Sequence, residues 1–163
     1  MSAKVLIVYD SSHGLVEDMA RQVASGVRAA GLTAVVENVE ACAPEDLLKY
    51  EALILGSPCY FAGPSAPMKR FLDRTYDLRG RLEGKVGAAF SASDHIGGGN
   101  ELTVRALLDA MLVHGMIIQG DPVGDPFGAI ALREGEGEVV TDLDGECQRL
   151  GRRVAQLVQR IGG

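Results

Sequence analysis

Two serines and a glycine stand near the start of the chain, where an apolar run gives way to a helical pattern. The run at residues 5–8 is followed by Ser11, Ser12 and Gly14, and the helical repeat begins directly after them. The first turn of a helix offers unpaired N–H groups and a partial positive charge, so such a loop can hold a phosphate monoester without any basic side chain. Serine is also a common helix cap, and residues 17–18 already place two acids in the first turn. The loop alone leaves both functions open.

Other phosphate-dependent and nucleophilic chemistries lack the residues they need. The chain has no GxGxxG after its first apolar run, no GxxxxGK[ST] and no GxSxG. Gly56 and Ser57 end the third apolar run, where a phosphate-accepting receiver domain would carry an aspartate. Cys59 is followed by YFAGPSAP, which has no arginine to bind the oxygens of a phosphatase substrate. These observations disfavour dinucleotide, triphosphate, receiver, hydrolase and phosphatase sites of the familiar types.

Short apolar runs alternate with amphipathic segments along the chain. The runs lie at residues 5–9, 34–36, 52–55, 86–90 and 116–118, and the helical patterns at 16–27, 68–72, 107–112 and 143–161. Gly31 stands where the first helix would end. Nearly all-apolar strands between helices indicate a parallel sheet that is covered on both faces. The sequence therefore predicts a doubly wound α/β fold in a single domain, residues 1–163.

Three loops of this predicted sheet share one edge. In a doubly wound sheet, ligands bind beyond the carboxyl ends of the strands. The loops at residues 11–16, 56–67 and 91–101 follow the first, third and fourth strands, and all are rich in glycine, serine or proline. The segment 133–146, rich in glycine and acids, is interpreted as a solvated loop before the last helix.

Composition and charge indicate which partners and which cellular compartment to expect. The net charge of −6 disfavours a nucleic-acid partner, and no run approaches the roughly 20 apolar residues of a membrane span. The three cysteines follow no CxxC spacing, so reduced thiols are expected rather than disulfides or a zinc site. The first residues do not form a signal peptide, which predicts a cytoplasmic location. The arginines at 149, 152, 153 and 160 are interpreted as the solvated face of the last helix.

Three segments, in this order, resemble flavodoxin-like FMN proteins, and most of all the WrbA family of NAD(P)H:quinone oxidoreductases. They are YDSSHGLVEDMA, ALILGSPCYFAGPSAPMKRFLDRT and KVGAAFSASDHIGGGNELTVRALLDAMLVHGMIIQG. The most specific part is the glycine triplet 97–99, followed by Glu101, Thr103 and the HGM at 114–116. The resemblance implies a five-stranded parallel sheet of order 2-1-3-4-5 with helices on both faces. It also implies FMN as the cofactor, NADH or NADPH as the electron donor and a quinone-like acceptor.

The resemblance also assigns site residues by position. It implies that the FMN phosphate is held by Ser11, Ser12, His13, Gly14, Leu15 and Val16. One side of the isoalloxazine ring would be bordered by Pro58, Cys59, Tyr60, Phe61 and Gly63, and the other by Ser93, Asp94, His95, Gly97 and Gly98. Backbone N–H groups of the glycine-rich loop could reach the N1/O2 edge of the ring, and Tyr60 or Phe61 could stack on it. Phe61 could instead be a core residue.

His114 is the candidate catalytic residue. It matches the histidine of the family's HGM segment, which the resemblance implies lies near the flavin and positions substrate or moves a proton. The alternative is a histidine that caps a helix C-terminus, where Gly115 follows it and the helix dipole favours a cation.

The chain departs from the family pattern in three places. The connections at 37–51 and 120–132 are shorter than the family's, the loop at 91–97 is one residue longer, and tryptophan is absent. A homodimer or homotetramer is expected, with the tetramer in question because of the short connections. The expected activity is FMN-dependent NAD(P)H:quinone oxidoreduction with a ping-pong cycle. A flavodoxin-type electron carrier and a flavin-free binding module remain the alternatives.

Overall fold

Strands and helices alternate along the chain as the apolar pattern predicts. The computed structural model describes residues 3–133, 137, 139 and 141–162. The strands are β1 (Lys4–Tyr9), β2 (Thr33–Asn38), β3 (Ala52–Tyr60), β4 (Gly63–Pro64), β5 (Val86–Ser93), β6 (Ile117–Ile118) and β7 (Ile130–Leu132). The helices are α1 (Leu15–Ala29), α2 (Ala66–Arg74), α3 (Asn100–Val113) and α4 (Leu143–Ile161), with 3₁₀ turns at Pro44–Lys49 and Thr75–Leu78. No helix in these ranges is long and apolar enough to cross a bilayer.

The sheet has the predicted flavodoxin-like order, with one difference at its edge. Its strands run β2-β1-β3-β5, all parallel, and two short strands share the outer side of β5. Strand β6 pairs with the start of β5 at Val86, and β7 pairs with its end at Ser91–Ser93. The fifth position of the predicted order 2-1-3-4-5 is therefore split, and the predicted strand at 116–118 supplies only its first half.

Two helical layers bury the sheet on both faces. Alternate strand residues such as Ile7 pack against α1 and α4, while their neighbours, such as Leu6, pack against α2, α3 and the 3₁₀ turns. All eight residues of β5 are buried. The expectation of a sheet covered on both sides is confirmed, and this is why its strands are almost wholly apolar.

The segment between β6 and β7 returns to β5 at close range. The Ser91 N–H donates to the carbonyl of Ala129 at 3.0 Å. Gly128, at φ +152°, lies so near the backbone that a Cβ there would collide with the carbonyl oxygen of Ala89. A side chain at Gly128 would therefore push this segment away from the sheet.

An ion pair anchors the same segment to α4. Arg149 donates to both carboxylate oxygens of Asp121, at 2.5 and 2.8 Å, and this bonding holds the Asp121 pKa well below its usual range. Arg153 donates to the carbonyl of Gly120 at 2.6 Å. The interpretation of these two arginines as a solvated face is therefore wrong, because both bind the loop between β6 and β7. The sequence did not reveal this contact, since the loop lies about 30 residues before them in the chain.

All three cysteines are free thiols, as expected. Cys42 and Cys147 are buried in the two core layers, and burial is the main cause that raises the pKa of each to about 12. Only Cys59 is partly exposed.

The contact of Gly128 with β5 gives a test of the split strand. Gly128→Ala should lower the free energy of unfolding by about 2–3 kcal/mol, because the methyl group must displace backbone rather than a flexible side chain. Gly80→Ala is the matched control: Gly80 also has a positive φ, of +81°, but a Cβ there meets nothing within 4 Å. Its cost should be the backbone penalty alone, about 1 kcal/mol. Equal costs in urea unfolding of the two variants would contradict a close approach at Gly128.

Candidate functional site

A cleft of about 790 Å³ lies at the carboxyl edge of the sheet. All three predicted loops contribute to it, and its size is within the range of small-molecule sites. Its lining consists of Ser11, Ser12, His13, Leu15, Val16, Pro58, Cys59, Tyr60, Ala92, Ser93, Asp94, Arg133 and Gly137.

The first loop leaves the N-terminus of α1 open to this cleft. Gly14 precedes the helix in a left-handed conformation, with φ +85°, and no side chain among the described residues caps α1. Ser11 instead accepts a hydrogen bond from the Gly14 N–H at 3.1 Å. The N–H groups of Leu15 and Val16 have no hydrogen-bond partner in the described part of the chain. The loop is thus not an ordinary serine cap, and its free donors suit an anion.

The end of β3 forms a second wall. Pro58, Cys59 and Tyr60 belong to the strand itself and line the cleft, whereas the sequence placed them in a loop. The Tyr60 hydroxyl donates to Ser12 Oγ at 3.0 Å, which joins this wall to the first loop. The Tyr60 side chain is 43% exposed, so its ring has a free surface for a planar ligand.

The turn after Tyr60 exposes Phe61 to solvent instead of burying it in the core. Phe61 and Ala62 have φ values of +51° and +60°, and they connect β3 to β4 through the Tyr60–Gly63 pair. Left-handed backbone at both central residues is typical of a type I′ hairpin. Phe61 is fully exposed, so it is not a core residue, and neither it nor Gly63 lines the cleft. Their assignment beside the ring stays a prediction.

The third wall is the end of β5. Ser93 and Asp94 line the cleft, and Ser93 Oγ accepts from the Asn100 side-chain amide at 3.1 Å and donates to the His95 carbonyl at 3.0 Å. Asn100 is the first residue of α3, so this network fixes the start of that helix. His95 itself is exposed and does not line the cleft.

The glycine triplet holds the second and third walls together. Cys59 Sγ donates to the Gly98 carbonyl at 3.3 Å. At Gly99, with φ +97°, a Cβ would lie only 2.6 Å from the Ala62 side chain. Gly97 and Gly98 are not among the residues that line the cleft, and Gly97 borders a neighbouring cavity of about 530 Å³. The triplet is needed for close approach of two loops.

His114 does not lie beside the cleft of its own chain. It ends α3, whose 14 residues separate it from the third wall by about 20 Å. Thr75 Oγ1 donates to the Leu72 carbonyl at 2.7 Å, so it accepts from His114 Nε2 at 2.8 Å. Burial, assisted by the charge of Arg79, lowers the pKa of His114. The placement near the flavin is corrected within one chain, and the position at the helix C-terminus is the one observed.

Arg133 and Ala92 line the cleft but were missed from the sequence. Ala92 belongs to β5 and needs no special residue type. Arg133 follows β7, in a segment that the sequence analysis interpreted as a solvated loop. The alternating run AIAL at 129–132 was the available signal for a strand that ends at this edge.

Known proteins are similar to this chain in both sequence and fold. A family model described as NADPH-dependent FMN reductase matches residues 33–127. An NAD(P)H dehydrogenase (quinone) of Gluconacetobacter diazotrophicus is 34% identical, over 97% of this chain and 98% of that protein. The chain belongs to the NADPH-dependent FMN reductase family. A flavodoxin of Aquifex aeolicus is 37% identical, over 95% of the chain and 86% of that protein. The solved structure of a WrbA-like flavodoxin from Agrobacterium tumefaciens superposes with a TM-score of 0.78 at 26% identity, covering 98% and 99% of the two chains.

The residues present fit FMN, the cofactor of this family. The free N–H groups at α1 suit its phosphate, and the open face of Tyr60 suits its planar ring. The alignment to the G. diazotrophicus protein spans 195 positions, more than the 163 residues of this chain, so the relative carries additional segments.

The open helix N-terminus predicts a charge-selective effect at Gly14. Gly14→Asp should reduce FMN affinity at least about tenfold more than Gly14→Asn does. Both side chains tolerate the left-handed backbone, and only the first repels a phosphate. Flavin fluorescence titration of the two purified variants would measure the difference. Equal affinities would show that no phosphate lies near this residue.

Proposed function

We propose that the protein takes a hydride from NADH or NADPH and passes two electrons to a quinone-like acceptor through bound FMN. The observation that carries the proposal is a single cleft that combines the uncapped N-terminus of α1 with the exposed face of Tyr60. When bound, FMN supplies the redox chemistry, and the protein supplies its position and electrostatics. The names of the relatives support the nicotinamide donor and the quinone acceptor.

Each wall of the cleft has its own part in this proposal. The loop at 11–16 binds the phosphate through backbone N–H groups, supplemented by serine hydroxyls. The β3 wall at Pro58–Tyr60 borders one side of the ring. Ser93 and Asp94 border the other side of the ring. His13, at the mouth of the cleft, is exposed to solvent and to an incoming substrate.

Donor and acceptor use the same open side of the ring in this arrangement. They therefore bind one after the other, which gives a ping-pong cycle. The reaction depends on reduced nicotinamides, and we place the protein in the cytoplasm; its free thiols support that placement.

Self-association is a further part of the proposal. Three apolar side chains on α3 are largely exposed, namely Leu102, Leu112 and Val113, at 60%, 53% and 66%. Exposed apolar patches of this kind are typical of protein interfaces. We propose that α3 is part of a contact between copies of the chain in a homodimer or homotetramer.

A flavodoxin-type electron carrier is the second candidate, because a flavodoxin is among the relatives. The two candidates differ in how many electrons move at each step. An enzyme of the proposed kind should be reduced in a single two-electron step and should turn over with NAD(P)H. A carrier should accept electrons in two separate one-electron steps and should need a partner protein for its reduction.

The proposed activity predicts rapid quinone-dependent oxidation of NADH or NADPH by the FMN-loaded protein. Absorbance at the nicotinamide band, recorded with and without a benzoquinone, measures it. Gly14→Asp protein assayed at the same FMN concentration is the control, and it should lose most of the rate because it retains little flavin. Flavin-loaded protein that shows no quinone-dependent oxidation would contradict the enzyme and favour the carrier.

Self-association predicts a solution mass that is two or four times 17.2 kDa. Light scattering after size-exclusion chromatography measures that mass. Val113→Asp should shift the protein to the monomer, because it places a charge in an apolar contact. Val123→Asp is the matched control, since Val123 is 78% exposed but lies outside α3. A monomeric wild-type protein would contradict the proposal.

A further inference from the structure

Arg133 reaches the cleft from a backbone that is held on two sides. Its N–H donates to the Ser93 carbonyl at 3.2 Å, which extends the pairing of β7 with β5 by one residue. Arg133 also forms an antiparallel bridge with Val139. The residue therefore stands in a defined position at the carboxyl edge of the sheet, next to the third wall of the cleft.

The side of the sheet on which Arg133 lies follows from strand alternation. Ala129 and Ala131 belong to the core layer between the sheet and helices α1 and α4. Side chains two residues apart lie on the same face of a strand, so Arg133 continues this series. Leu15 and Val16, at the start of α1, belong to the same layer. Arg133 and the open N-terminus of α1 thus share one face of the sheet and one cleft.

The charges around the first loop leave a place for a cation. The loop at 11–16 contains no lysine or arginine, and Glu17 and Asp18 follow in the first turn of α1. Arg21 forms an ion pair with Glu17, which offsets one of these two acids. Among the described residues that line the cleft, Arg133 alone is an arginine or lysine.

We propose that Arg133 binds the phosphate of FMN together with the N–H groups of α1. A guanidinium stays charged at all physiological pH values and can donate two parallel hydrogen bonds to phosphate oxygens. It thereby offsets the repulsion from the acids of the first turn. This inference rests on the proposed FMN site and adds a residue to it that neither the phosphate loop nor the sequence comparison assigns.

Riboflavin, which is FMN without its phosphate, makes the inference testable. The experiment titrates flavin-free protein with FMN and, separately, with riboflavin, and follows the quenching of flavin fluorescence. Arg133→Gln removes the charge, and Arg133→Lys keeps the charge but loses the planar pair of donors. Arg81→Gln is the matched control, because Arg81 is exposed and precedes β5 at the opposite edge of the sheet.

The inference predicts that Arg133→Gln binds FMN roughly tenfold to a hundredfold more weakly, the usual range for a hydrogen bond to a charged group. Riboflavin binding should stay within about twofold of wild type, which also shows that the variant is folded. Arg133→Lys should recover part of the loss, and Arg81→Gln should bind both flavins like wild type. FMN affinity should also fall more steeply with salt in wild type than in Arg133→Gln.

Other results would overturn the inference in distinguishable ways. Unchanged FMN affinity in Arg133→Gln, or an equal loss for both flavins, excludes a phosphate contact. Unchanged FMN affinity with a raised KM for NADPH but not NADH would assign Arg133 to the donor instead. If Arg133→Gln does not fold, the salt dependence of wild type decides, since equal slopes for FMN and riboflavin exclude any role in phosphate binding. Wild-type protein that binds neither flavin would overturn the FMN site itself.

Discussion

Strand β5 must satisfy its backbone hydrogen bonds on both edges, because all eight of its residues are buried. β3 covers one edge along seven residue pairs, but β6 covers only two residues of the other. The chain therefore has to come back to complete that edge, which it does at Ala129 and in β7. Gly128 allows the return, and the Asp121–Arg149 ion pair holds the intervening loop on α4. Without the pairing of β7 and Ala129 with β5, the carboxyl end of β5 would have no neighbouring strand on that edge, which is where the cleft lies.

The shape of the cleft depends on the completed edge of β5. The end of β5 positions Ser93, and its network with Asn100 starts α3. The glycine triplet then brings the following loop against the turn after β3, through the contacts of Gly98 with Cys59 and of Gly99 with Ala62. Two walls are thus fixed relative to each other by backbone and small side chains. The loop before α1, which is the remaining wall, is joined to them by the Tyr60–Ser12 hydrogen bond.

Left-handed backbone occurs at several points of this same edge. Gly14 and Gly99 precede α1 and α3, and Phe61 and Ala62 form the turn beside Tyr60. Such conformations cost roughly 1–2 kcal/mol for residues other than glycine, and strain of this kind clusters at functional sites. Here one result is that α1 begins without a side-chain cap and leaves the N–H groups of Leu15 and Val16 available. In the proposed function, an anionic cofactor would bind to these backbone donors, which are in place before the ligand arrives.

The sequence by itself determined the layered α/β fold, the order of its elements, the bounds of α4 and the edge at which the loops meet. These follow from local periodicity. A strand buried on both faces is apolar at nearly every position, and a helix buried on one face is apolar at every third or fourth position. Its full-length resemblance also led to the right family. Only the tertiary structure decided that the fifth strand is split, that Arg133 enters the cleft, that Phe61 stays outside it and that His114 lies at the far end of α3. Those outcomes depend on pairing between segments far apart in the chain, and on where a helix of 14 residues ends, which no local pattern records.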